Sequence, residues 1–340
     1  MEAFQYFETG YDPYKTQKQN GLYACMGAVD QLATLFLSYS REQETCDVQE
    51  GNYQDLIELG VMTSLWGNKK DLSLFPAAPP SASDATSEDQ DDVNASDTPT
   101  ACYLSIQDTL AELRQNSSEY ILDNQMTKLL SYFRNLRDQN KSTSSNVNNS
   151  IGIVVDNAGF EIISDFFLGH SLLEAGAAAR IIFYTKAHPT FVSDATNDDC
   201  REIIDHLASK GGRSTSHIAN AWKRHLSEGR FHFESDFFWC QPTGFQYRPV
   251  HIADSLRSNA MNFIKGDANY RRLLDDRQYP EHTPSDDLLA YWGAETRVCA
   301  LRALKSEVIC GVTEEKGRHA SDKDTSWRVS GDWAVIQCNC

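Results

Sequence analysis

Apolar residues return every three to four positions from Leu22-Tyr23-Ala24-Cys25-Met26 through Leu32-Ala33-Thr34-Leu35-Phe36-Leu37. This spacing predicts a helix, and Asp12-Pro13 ahead of it supplies a stop-start signal. A second helical run, Ile106 to Arg137, carries Leu110, Leu113, Ile121, Leu122, Leu129, Leu130 and Phe133. Between the two the pattern vanishes. From Pro76 to Thr100 the residues are mostly Pro, Ala, Ser, Thr and Asp, with six acids and no Lys or Arg. Such a stretch has too little apolar surface to offset the entropy of ordering, and a disordered acidic loop is expected at 76–100. A second polar stretch, Asp138 to Ser150, reads as a linker, dividing a helical domain at 1–137 from a second domain at 151–340.

Beyond the linker the period changes. Ile151-Gly152-Ile153-Val154-Val155 is a short continuous apolar run, the mark of a strand buried on both faces. A helix is expected over Phe160–Ala178 and a second strand over Ile181-Ile182-Phe183-Tyr184, which together make one βαβ unit. Further strands are expected at Phe231-His232-Phe233, Asn262-Phe263-Ile264, Val308-Ile309-Cys310 and Trp333-Ala334-Val335-Ile336. Helices fit at Asn197–Ser209, Asn269–Asp276 and Glu295–Leu304. The expected fold is α/β: an open, mostly parallel, doubly wound (Rossmann-like) sheet, preceded by an N-terminal α-helical domain.

Charge narrows the range of functions. Over 340 residues, 31 Lys and Arg stand against 48 Asp and Glu, a net charge of −17. Nucleic acids and anionic membranes need clustered cations, so neither is an expected partner. The first residues are polar, and no run of about 18 apolar residues occurs, so neither a secretory leader nor a membrane span is expected. Nine cysteines in mostly apolar contexts suit reduced thiols, and a cytoplasmic or nuclear location. An anionic substrate, however, would need the local field reversed.

Open α/β sheets bind ligands outside the carboxyl ends of their strands. The first strand there runs into Asp156-Asn157-Ala158-Gly159-Phe160-Glu161. The second leads through Lys186 and His188-Pro189 to Phe191-Val192-Ser193-Asp194. A later one ends in Lys265-Gly266-Asp267-Ala268-Asn269-Tyr270-Arg271. Asp156, Asn157 and Asp194 offer hard oxygens that suit Mg²⁺ or Mn²⁺. Helix capping is the better account of any one Asp taken alone, but three polar loops at successive strand ends, each with basic or amide partners, point to a site. A single glycine, Gly159, in the first turn counts against a dinucleotide or an ordinary Rossmann methyltransferase. Ala158 stands where an aspartyl phosphatase places its second acid, so water is the expected nucleophile.

These three segments resemble the metal-dependent damage-control phosphatases, in their sugar-phosphate subgroup III. The similarity continues at Arg302-Ala303-Leu304-Lys305, at Tyr11-Asp12-Pro13-Tyr14 and from Leu65-Trp66-Gly67 to Ser73, nearly end to end. The resemblance implies a divalent metal (Mn²⁺, Ni²⁺ or Co²⁺, with Mg²⁺ also compatible). It implies hydrolysis of small phosphorylated sugars such as fructose 1-phosphate and fructose 6-phosphate. Position by position it implies Asp156, Asn157 and Asp194 as metal ligands. Asp156, Asn157, Asp267, Ala268, Asn269, Tyr270, Arg271 and Lys305 fall at substrate-binding positions. Asp194 and Glu161 are the candidates to take the proton of the attacking water. Arg271 would offer a forked pair of donors to phosphate, and Lys305, at an expected helix end, a point charge. Two departures stand out. Ala303 replaces the usual Thr, and the chain begins within what resembles the middle of the family's helical domain. A catalytically impaired, shortened variant is therefore one alternative. Another is protein-glutamate O-methylation from S-adenosylmethionine, an activity also attached to this subgroup.

Overall fold

The computed structural model describes residues 2–45, 52–67, 106–142 and 149–340. The expected disordered loop at 76–100 lies outside them, as do residues 143–148 of the expected linker at 138–150; residues 138–142 of that linker are helical, continuing the helix that starts at Met126. The helical part opens with α1 (Glu2–Thr9), α2 (Lys15–Ala24), α3 (Met26–Thr45) and α4 (Asn52–Trp66), followed by α5 (Ile106–Ser117). The run expected to be helical to Arg137 is then broken. Ile121–Asn124 forms strand β1, and α6 (Met126–Ser142) follows it. Tyr120, Ile121 and Leu122 are consecutive large residues ahead of a polar turn, a pattern that a helical period absorbs as easily as a strand does.

The remaining elements alternate: β2 (Ser150–Val154), α7 (Phe160–Glu174), β3 (Arg180–Lys186), α8 (Asn197–Lys210), α9 (Arg213–Ser227) and β4 (Phe231–Asp236). After these come α10 (Val250–Arg257), β5 (Met261–Lys265), α11 (Asp267–Leu273), α12 (Ser285–Leu289), β6 (Val298–Ala303), α13 (Glu314–Lys323) and β7 (Ala334–Cys338). The seven strands form one sheet in the order β1-β7-β6-β5-β2-β3-β4. Every neighbouring pair is parallel except β6 and β7.

Two sequence expectations fail here. Glu295–Leu304 contains no helix: its centre is strand β6. Val308-Ile309-Cys310 is loop, not strand. Arg302 misled the periodicity, because a guanidinium inside a strand buried on both faces needs partners that spacing alone cannot reveal.

Side chains alternate across the sheet as a two-residue period requires. Ile151, Ile153, Ile181, Phe183 and Phe263 enter one core with the helical segments, including α4 and α7. Val154, Ile182, Tyr184 and Ile264 enter a second core, with α10, α11 and α13 residues on the opposite face. Both faces are covered, so the fold is doubly wound. Beside β2 the strand order reverses: β3 lies on one side and β5 on the other. The helices that follow β2 and β5 leave towards opposite faces, opening a crevice at their carboxyl ends.

Candidate active site

The crevice is built by two loops that pair with each other. Asn157 and Asp194 form an isolated antiparallel bridge. The Ala158 N–H donates to the Ser193 carbonyl at 2.7 Å and the Ala195 N–H to the Asp156 carbonyl at 2.9 Å. To make this approach, Phe191 and Val192 take left-handed backbone angles, φ 49° and 68°. A β-branched residue rarely adopts that conformation, and such strain gathers where surrounding structure must hold a functional group. Here it delivers Ser193 and Asp194 beside the end of β2.

Asn157 is oriented from both sides of its amide. Its Nδ2 donates to Glu161 Oε2 at 2.8 Å and to Asp156 Oδ2 at 3.3 Å. Its Oδ1 accepts from Ser193 Oγ at 2.6 Å. Asp156, Glu161 and Asp194 are all buried. Lys186, the last residue of β3, places Nζ 3.2 Å from Asp194 Oδ2, yet that oxygen lacks a well-formed hydrogen bond. Lys265, the last residue of β5, sits 3.5 Å from Asp165 Oδ1 and 4.0 Å from Glu161 Oε1, and donates to the Ser64 carbonyl at the end of α4.

Four buried carboxylates (Asp156, Glu161, Asp165, Asp194) thus face two buried ammonium groups, leaving an excess of two negative charges. Burial, then the charges of Glu161 and Asp194, push Asp156 well above the usual carboxylate range. Burial also raises Asp194, against the pull of Lys186, and takes Asp165 up to about 7. Protons or a divalent cation would relieve this repulsion, and the oxygens of Asp156, Asn157 and Asp194 are the hard donors such a cation takes. The donor set fits a metal.

Above the acids opens a cleft of about 620 Å³, walled by α2 and α3 on one side and by Asn157, Ala158, Glu161, Ser193 and Lys305 on the other. The α7 N-terminus enters it at Gly159, which carries no side-chain cap. Uncapped helix N–H groups favour an anion. Lys18 also lines the cleft. It is held by Asp12 at 3.0 Å and by Asp199 at 2.7 Å, and this explains the Asp12-Pro13 motif as an anchor for that wall.

The structure thus brings together Asp156, Asn157, Glu161, Asp194 and Lys305. Lys305 follows strand β6, not a helix, and reaches the cleft because Asp267 holds its loop. Asp267 Oδ1 accepts from Arg302 Nε at 2.8 Å, the Lys305 N–H at 3.1 Å and Ser306 Oγ at 3.1 Å. Asn269, fully buried, donates to the Val155 and Lys265 carbonyls and so braces the ends of β2 and β5. Ala268 is exposed. Tyr270 is turned into the second core, where its hydroxyl donates to Gln337 Oε1 at 2.7 Å. The Arg271 guanidinium forms a two-pronged pair with Asp276, both contacts 2.7 Å, at an exposed position.

Lys186, Lys265 and Arg302 were named in the sequence motifs but given no role there, and the structure pairs each with a carboxylate of the site or of its framing loop. Their signal was present: each is a lone cation closing or interrupting a buried apolar run. Among the described residues no helix is long and apolar enough to cross a membrane.

Comparison with known proteins matches residues 1–320 to the family described as damage-control phosphatase ARMT1-like domain. The chain is similar to Damage-control phosphatase ARMT1 of Danio rerio, 29% identical over 332 residues, covering 96% of this chain and 67% of that protein. The Bos taurus protein of the same name is 29% identical, covering 96% and 68%, and the Homo sapiens one 27% identical, covering 96% and 68%. Among solved structures, a DUF89 family protein from Pyrococcus horikoshii aligns with a TM-score of 0.44 at 13% identity, covering 97% of this chain and 76% of that one.

Proposed function

The chain belongs to the damage-control phosphatase ARMT1-like domain family, and from that premise we propose that it hydrolyses phosphate monoesters of sugars, such as fructose 1-phosphate and fructose 6-phosphate, in a metal-dependent reaction. One observation carries the reading: the excess of buried carboxylate over ammonium directly beneath an open cleft.

Asp156, Asn157 and Asp194 would hold the metal. When bound, a divalent ion would offset the charge of the phosphoryl oxygens and lower the pKa of a water, so that the water loses a proton to a base and attacks as hydroxide. The chain's own groups supply the rest. Ser193 and Glu161 keep the Asn157 amide oriented, so that its oxygen and the two Asp carboxylates converge. Lys305 brings an exposed positive charge to the cleft wall, and the open α7 N-terminus adds backbone donors for the phosphate. Asp194, with its raised affinity for a proton, and Glu161 are the groups placed to accept the proton of the attacking water. Ala158 offers no acid to the leaving group, so the sugar alkoxide takes its proton from solvent or from that same carboxylate. Phosphoryl transfer demands mainly positioning and charge neutralisation, which this inventory provides.

The test is phosphate release from fructose 1-phosphate after exhaustive chelation, then with Mn²⁺ restored, for the wild type and Asp156→Ala. Activity should vanish on chelation, return with Mn²⁺, and fall at least a hundredfold in the variant. Turnover that survives both chelation and the substitution refutes the proposal.

A further inference from the structure

The far end of α7, a helix of 15 residues, is not inert. Phe166 and Phe167 pack on Trp222 of α9, with ring centroids 5.5 and 5.1 Å apart. One helical turn further along each helix, His170 (four past Phe166) and His225 (three past Trp222) meet across the same interface, ring centroids 5.6 Å apart. Glu174, four past His170, lies on the same stripe of α7. One ring nitrogen of each histidine and a carboxylate oxygen of Glu174 all lie within 4.8 Å of one another.

His170 is 8% exposed and His225 5%, and His170 Nδ1 and His225 Nε2 are buried without hydrogen-bond partners. Two orphaned imidazole nitrogens at one place are unusual, because a buried polar atom is nearly always paired. We propose that His170, Glu174 and His225 form a second metal site, for a divalent transition ion of the zinc class, which clips α7 to α9.

Imidazole and carboxylate are the ligands zinc takes, at about 2.0–2.2 Å, so the three donors need to close by roughly 1 Å to coordinate one ion. His170 lies nine residues past Glu161, about 14 Å along α7, so the site is separate from the strand-end acids. Glu174 is exposed and His170 and His225 buried, so an ion enters from the Glu174 side. Burial, helped by the nearby Arg230 and Arg224 charges, pushes His170 down to about 3 and His225 down to about 4, so both rings are neutral and hold free lone pairs near neutral pH. The same two arginines are the site's opposing charges. Arg230 NH1 stands 3.5 Å from His225 Nδ1, at the outer limit of a hydrogen bond. Ligation through Nε2 puts the proton on Nδ1 and displaces that contact.

The experiment titrates the full chain with Zn²⁺ by calorimetry and with Co²⁺ by visible absorption, in an Asp156→Ala background that removes the strand-end site. One equivalent should bind, with a four-coordinate Co²⁺ spectrum, and Zn²⁺ should raise the thermal midpoint by about 5 °C. His225→Gln should abolish all three signals. Because a buried substitution can also unfold the protein, Glu174→Gln, at an exposed position, is the second variant, and its affinity should fall at least tenfold. Arg230→Gln should bind more tightly. Absence of binding in the Asp156→Ala background, or an unchanged affinity in Glu174→Gln, overturns the proposal.

Discussion

Among the described glycines, Gly266 leaves the least room for a Cβ, and what that Cβ would meet is Asp156, so Gly266→Ala is a sharp test of the geometry there. The residue has φ +84°, and a Cβ placed there would lie 2.0 Å from Asp156 Oδ2, 2.5 Å from its Cγ and 2.8 Å from its Cβ. An ordinary contact is about 3.5 Å, so the carboxylate must retreat by more than about 1 Å. Two costs follow. Its backbone, φ 84° and ψ 167°, lies in a region open essentially to glycine alone, and holding an L side chain there costs about 1–3 kcal/mol. If Asp156 holds the metal as proposed, displacing its carboxylate by about 1 Å should lower catalysis by roughly a hundredfold. Gly176 separates the two: it has φ +68°, and nothing lies within 4 Å of its Cβ. Gly176→Ala should lose about 1–2 kcal/mol of stability and keep full activity. Gly266→Ala should lose stability and, in addition, about a hundredfold in kcat/KM with weaker Mn²⁺ activation. Urea unfolding and phosphate release on the same preparations read both quantities. A folded Gly266→Ala with kcat/KM within a few-fold of wild type would refute the placement of Asp156 at the reacting centre.

Other perturbations test the surrounding framework. Asp165 is raised to about 7, against about 3.9 in an unfolded chain, so its contribution to stability is fully present below about pH 4 and lost as pH rises through 7. Relative to wild type, Asp165→Asn should gain on the order of 4 kcal/mol between pH 4 and pH 7 and no more above it. The buried histidines shift both proteins alike and cancel in the difference, and a pH-independent difference by urea unfolding in chelator contradicts this account. Arg302→Leu strands Asp267 and the Ser306 and Val308 carbonyls, and should cost about 3 kcal/mol, with KM rising because Lys305 loses its anchor. A loss under about 1 kcal/mol would show that Arg302 is not the tie. Arg271 and Asp276 are both about half exposed, so breaking their pair should change stability by no more than about 1 kcal/mol. Asp276→Ala frees Arg271 and should lower KM for a sugar phosphate, while Arg271→Ala should raise it; an unchanged KM in both removes Arg271 from the substrate site.

Much of the fold was legible because both periods are strong. Strands buried on both faces read as unbroken apolar runs, as at Ile151–Val155, and α7 and α8 fell close to the expected places. The failures share a cause. β1 pairs only with β7, which comes from far along the chain, and Arg302 is tolerated in β6 only because Asp267 and two carbonyls reach it there. Local spacing carries no trace of such partners. The segment 267–271, expected to bind substrate, shows the same limit: four residues of one short helix point to different places, Asp267 to the loop of Lys305, Asn269 to the strand ends, Tyr270 to the second core and Arg271 to solvent.

The net charge of −17 and the acids at the strand ends were properties of the sequence alone, as were the family resemblance and the choice of hard oxygen ligands. Which acids share one low-dielectric space was decided by the tertiary structure. Asp165 joins Asp156, Glu161 and Asp194 because Lys265 at the end of β5 reaches both Glu161 and Asp165 in the first two turns of α7, and Lys186 and Lys265 meet the acids because β3 and β5 flank β2. Coulomb energies depend on distance and burial, not on separation along the chain, so only the folded arrangement turns a surplus of scattered acids into a site that calls for a cation.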